Sequence, residues 1–71
     1  MTIYLLLMHT KYVCEITGIY ENEEIAKAIL NNFKENFKEK ETIIADSDWH
    51  FVTDVGTFMK IEKWEIEKEI R

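Results

Sequence analysis

The feature that most constrains this chain is the run Thr2-Ile-Tyr-Leu-Leu-Leu-Met-His9 at its start, apolar at six consecutive positions. A half-buried strand alternates apolar and polar residues, because successive side chains point to opposite faces. An unbroken apolar run of strand length suits a strand buried on both faces or at a sheet centre. The rest of the chain must supply that cover.

After the polar break at Thr10-Lys11, residues 12–20 are rich in β-branched and aromatic types and read as an antiparallel hairpin partner. Gly18, inside this second strand, marks a bulge or a close backbone approach. Then the period changes. Asn22 is a favoured N-cap, and Glu23 and Glu24 suit the positive end of a helix dipole. Ile25, Ile29, Phe33 and Phe37, flanked by Ala26 and Leu30, make one apolar stripe opposite Lys27, Asn31, Lys34, Glu35 and Lys38. The helix is expected to end near Glu39, and it can cover one face of a sheet.

Residues 42–57 hold three aspartates, no Lys or Arg and no helical stripe, and read as a connection with strand-like pieces. Strand formers resume at residues 58–66 and favour a strand, although Phe58, Ile61, Trp64 and Lys68, spaced by three or four, also fit a helix. There Met59 and Ile61 share one register while Trp64 and Ile66 take the other, a slip that predicts a β-bulge near Glu62-Lys63. Residues 67–71 are expected to be frayed or helical. The order predicts one α+β domain over residues 1–71: a small antiparallel sheet of three to four strands with one amphipathic helix packed on one face, in the order β-β-α-(β)-β.

These residues resemble a loose group of short bacterial and phage proteins. Members begin on a Tyr-Leu-Leu-x-His strand, end a second strand on Gly-hydrophobic-Tyr, start a helix on acidic residues, and close on an Ile-x-x-aromatic-x-hydrophobic strand. The matches are Tyr4-Leu5-Leu6 with His9 displaced, Gly18-Ile19-Tyr20, Glu23-Glu24 with Ala26 and Ala28, and Ile61 through Trp64 to Ile66. Residues 42–57 are longer than the group's usual connection. The resemblance implies the fold and, by association, a phage or mobile-element protein that inhibits or modulates a host protein.

Composition removes several functions. With 71 residues, 46% of them hydrophobic, the chain has the apolar mass to fold, but a domain this short buries only roughly 60% of its unfolded surface. It has little room for both a core and an enclosed active site, so neither an enzyme nor a bound cofactor is expected. A net charge of −5 opposes nucleic-acid binding. No apolar stretch approaches the roughly 20 residues that span a membrane. The start lacks a basic secretory signature and there is a single cysteine, which together point to the cytoplasm.

The chemical constellations are sparse. His9, Cys14 and His50 lack the paired spacing of a zinc site, and Asp46, Asp48 and His50 lack the central Gly and terminal Glu of a calcium loop. No metal is expected. Cys14 reads as a core thiol rather than a nucleophile activated by His9. Glu62, Glu65 and Glu67, alternating with Lys60, Lys63 and Lys68, read as a solvated strand face.

Charge location says more. Residues 1–20 and 58–71 are each neutral; the excess lies on the helix and, most densely, on residues 42–57. That segment also carries Trp49, His50 and Phe51, and aromatic anchors among charges mark binding surfaces. The leading expectation is a protein-binding module in which Trp49 and Phe51 enter a partner groove, while Asp46, Asp48 and Asp54, beside His50, meet a basic partner surface. The competing reading folds Trp49 and Phe51 into the core. A second expectation is a homodimer, because one helix leaves a sheet face uncovered; Tyr4, Leu6, Met8, Tyr12 and Cys14 are the expected self-association patch. A third is a small-ligand binder, with a nucleotide or metabolite held between sheet and connection.

Overall fold

The computed structural model describes residues 1–66, so the expectation for residues 67–71 lies outside the described residues. The elements in chain order are β1 (Thr2–His9), β2 (Cys14–Tyr20), α1 (Glu23–Lys38), β3 (Ile43–Asp46), β4 (His50–Thr53) and β5 (Phe58–Glu65). The strands form one antiparallel sheet in the order β2-β1-β5-β4-β3. The fold is α+β with one helix, as expected, but the sheet has five strands rather than three to four. The difference comes from residues 42–57, whose strand-like pieces form the two strands of the β3–β4 hairpin, so the order is β-β-α-β-β-β rather than β-β-α-(β)-β. β1 is an interior strand, and β5 is the middle one.

At the β1–β2 turn, the Thr10 hydroxyl accepts the backbone N–H groups of Tyr12 and Val13 at 3.3 and 3.1 Å. The pairing then shifts: Leu6 faces Gly18 and Leu7 faces Ile16, leaving Thr17 as the extra residue of a bulge. Its hydroxyl donates to the Leu6 carbonyl at 3.0 Å. A Cβ on Gly18 would lie 2.7 Å from ring carbons of Tyr20, so the ring's position over the backbone requires glycine.

The bulge expected near Glu62-Lys63 does not form. β1 and β5 pair without a break from Thr2 opposite Glu65 to His9 opposite Phe58. Trp64 takes the opposite register from Met59 and Ile61 because β5 has apolar residues on both faces.

The helix begins where its signals place it, with the Asn22 side chain accepting the Ile25 N–H at 3.1 Å. Ala26 and Leu30 are buried, and Ile29, Phe33 and Phe37 pack around them. Ile25, expected in the stripe, is 52% exposed; it flanks the line that meets the sheet.

The core lies between α1 and one sheet face. Tyr4 and Leu6 of β1, Met59 and Ile61 of β5 and Phe51 of β4 supply the sheet side, and Phe51 stacks at a tilt on Phe37, 5.8 Å between centroids. The expected self-association patch therefore needs correction. Tyr4 and Leu6 are buried under the helix and Met8 packs beside them, because even-numbered residues of β1 share the face that α1 covers. Tyr12, 87% exposed, sits in the β1–β2 turn. Cys14, expected in the core, is exposed on edge strand β2.

Since Phe51 is fully buried, Phe51→Ala should cost about 3–5 kcal/mol, most of the stability of so small a domain. Urea unfolding followed by circular dichroism checks this; a midpoint close to wild type would remove Phe51 from the core.

Candidate functional site

The acidic hairpin is built by local hydrogen bonds. Between β3 and β4 the Ser47 hydroxyl accepts the Trp49 N–H at 3.1 Å and lies 2.8 Å from His50 Nδ1, while the Ser47 N–H donates to the His50 carbonyl at 2.8 Å. At the other end, the Asp54 carboxylate accepts the Thr42 N–H at 3.3 Å, and the Asp54 N–H donates to the Thr42 carbonyl at 2.9 Å. A turn through Gly56, with φ +96°, then leads into β5.

The six residues expected to bind a partner do not form one surface. Phe51 is core. Trp49 is half-buried on the helix side, 6.3 Å from Tyr4 between ring centroids, with the Lys27 ammonium 4.8 Å from the centre of its own ring. The expected anchors thus face α1, because Trp49 and Phe51 fall on the covered side of the sheet. His50 projects from the opposite face, 6.1 Å from Phe58. Asp46 pairs with Lys34 at 3.2 Å, Asp54 closes the hairpin, and Asp48 remains exposed.

A cleft of about 520 Å³ separates α1 from the β3–β4 turn, lined by residues including Lys27, Asn31, Lys34 and Asp48 over Leu30 and Phe51. Its two lysines are already matched: Lys34 by Asp46, and Lys27 by Glu23 at 2.9 Å. The Glu23 carboxyl is held below its ordinary value first by the hydrogen bond from Lys27; burial opposes this, and the Lys27 charge, the Tyr4 hydroxyl and Lys63 add to it. Lys27 is raised correspondingly by its bond to Glu23.

The larger feature is the sheet face that no helix among the described residues covers. β1 presents Ile3, Leu5 and Leu7 there, all half-buried only by their neighbours. β2 adds Ile16 and Ile19, 55% and 61% exposed, and β5 adds Phe58 and Trp64, the latter 50% exposed. Val52 extends the patch onto β4. Its charged residues on β5 are Lys60 and Glu62, paired at 2.9 Å, and Glu62 also accepts the Trp64 indole N–H at 3.1 Å. Glu62 is held below the ordinary carboxylate value by those two bonds, that from Lys60 being the stronger. At one end the Cys14 sulfur lies 3.7 Å from His9 Nε2, and the His9 ring is 5.6 Å from Phe58. Among the described residues no three His, Cys, Asp or Glu side chains gather as a metal site.

Ile3, Leu5 and Leu7 were missed because both registers of β1 are apolar. The available signal was in β5: Lys60 and Glu62 mark a solvent face, and Trp64 shares their register. No family model, curated protein or solved structure matches the chain, and among the described residues no helix is long and apolar enough to cross a membrane.

The Glu23–Lys27 pair gives an acid signature. A carboxyl lowered in the folded state contributes stability above its unfolded pKa and loses it as pH falls through the folded value. Thermal unfolding of wild type and Glu23→Gln from about pH 7 to about pH 3 should show the wild-type advantage largest near neutrality and vanishing in acid; a constant gap would rule out ionic pairing as its source.

Proposed function

We propose that the chain is a small non-enzymatic protein-binding module that works through the open face of its sheet. The observation that carries this reading is the apolar surface of β2 and β1, continued by Phe58 and Trp64 at the two ends of β5 around the Lys60–Glu62 pair, which an isolated chain would leave in water. Apolar side chains at a sheet face supply binding energy by leaving water, with no chemistry required. The mode of action is occlusion: whatever lies on the face is held and covered.

The acidic hairpin has a different part in this reading. Its aromatic residues belong to the core or, for His50, to the open face, so Asp46, Asp48 and Asp54 have no aromatic anchor beside them on one surface. They can steer a basic partner at long range, as charges at an interface rim do. The open face itself carries one Lys60–Glu62 pair and selects no sign of charge.

A tagged chain expressed alongside its untagged counterpart, in the cells it comes from, tests the reading. Leu5→Glu on the open face should abolish capture of whatever binds, whereas Asp48→Lys on the hairpin should leave it largely intact. The reverse pattern, or identical capture by both variants, would move the site away from the sheet.

A further inference from the structure

We propose that the occupant of the open face is a second copy of this chain, packed face to face about a two-fold axis that crosses the middle of β5 at right angles to the strands. The inference rests on the reading of the open face as a binding surface and goes on to name the partner.

Geometry carries it first. β5 is the third of five strands, and Lys60 and Glu62 are the middle two of its four open-side residues, Phe58 to Trp64. An axis at the level of Ile61 reverses strand direction and sets each residue opposite the one equally far beyond the axis. Lys60 then meets Glu62 of the copy, and Phe58 meets Trp64. The strand registers carry the match outward. Leu5 is level with Glu62 and Leu7 with Lys60, so Leu5 faces Leu7 of the copy. Ile19 and Ile16 are level with the same two leucines and face each other in turn. An isologous interface must be complementary to itself, and at these positions charge meets opposite charge, aromatic meets aromatic, and aliphatic meets aliphatic, while at the ends of β1 Ile3 meets His9 of the copy. Sheet twist rotates two aligned sheets by roughly 30°, which disturbs the contacts at the centre of β5 least and those out on β2 most.

Area is the second argument. Strands of eight, seven, four, four and eight residues, at about 3.3 Å per residue and about 4.8 Å between strands, span roughly 500 Å² of sheet. Two such faces remove roughly 1,000 Å² from water, the lower bound for a specific interface. Charge is the third. Although each chain carries −5, the face is neutral, and the aspartates of residues 42–57 lie beyond its centre, where salt screens them within about 8 Å.

Sedimentation equilibrium over about 1 to 100 μM should show wild type shifting from 8.5 kDa toward twice that mass. Lys60→Glu and Glu62→Lys, each alone, oppose like charges across the axis and should weaken self-association by about tenfold or more. Mixed in equal amounts the two variants are complementary and should form a heterodimer at concentrations where neither self-associates. Wild type that stays monomeric throughout, or a mixture no tighter than its components, overturns the proposal. Circular dichroism verifies that both variants fold; if either does not, the wild-type series alone decides. A monomeric wild type whose cellular capture still depends on Leu5 would refute the second copy while leaving the open face as the binding surface.

Discussion

A helix with its side chains is about 10 Å across, whereas five strands about 4.8 Å apart span about 19 Å. α1 therefore covers its own side of the sheet only in part and the other side not at all. This shortfall of cover organises the molecule. On the helix side, the gap beyond α1 is closed from the hairpin: Trp49 packs on Tyr4 under Lys27, and Phe51 reaches Phe37. The aromatic residues of the acidic segment are inward because the core needs them. Among the described residues there is no second helix to cover the far face.

The elements were largely legible because their signals are local. The eight residues of β1, the Asn22 cap, the end of α1 and the bulge beside Gly18 each follow from patterns within a few positions. What failed were statements about faces, which depend on pairing between distant strands. Leu5-Leu6-Leu7 is apolar in both registers, so periodicity cannot say that Leu6 is buried and its neighbours are open. The alternation along β5 breaks at Trp64 because apolar residues fall on both faces, Met59 and Ile61 on the core side and Phe58 and Trp64 at the ends of the open side. For the same reason Tyr4 and Met8 were assigned to the wrong surface, while Cys14, paired with His9, does lie on the open one. The hairpin of residues 42–57 was legible as acidic and aromatic, but the direction of Trp49 and Phe51 is set by β4 pairing with β5, a contact no local pattern encodes.

Charge and apolar surface, which seemed to coincide in the sequence, are separated in space. Three aspartates concentrate on the hairpin and its ends, where one pairs with Lys34 and another closes the open end of the hairpin on Thr42. The open face carries its ionic pair at the centre, and Glu62 is satisfied twice, by Lys60 and by the Trp64 indole. Surface pairs of this kind contribute little stability alone. Their effect here is on specificity: in the middle of an apolar patch they penalise any arrangement that leaves either charge facing its like.

Edge pairing is the other route by which a small sheet associates, and the structure blunts both edges. β2 carries the Thr17-Gly18 bulge, which interrupts the row of free backbone groups a new strand would need. β3 is four residues long and has its own register shift between Ile43 and Ala45. With the edges unsuited to extension, the apolar face is the remaining large surface through which this sheet can lose contact with water. A chain whose own core is thin gains most from that burial, since apolar area removed from water stabilises at about 25 cal/mol per Å² and association stabilises the folded state that presents it. In the proposed association folding and docking are thereby coupled: β1 carries the core on one side and the open apolar face on the other, so the six apolar residues from Ile3 to Met8 serve both.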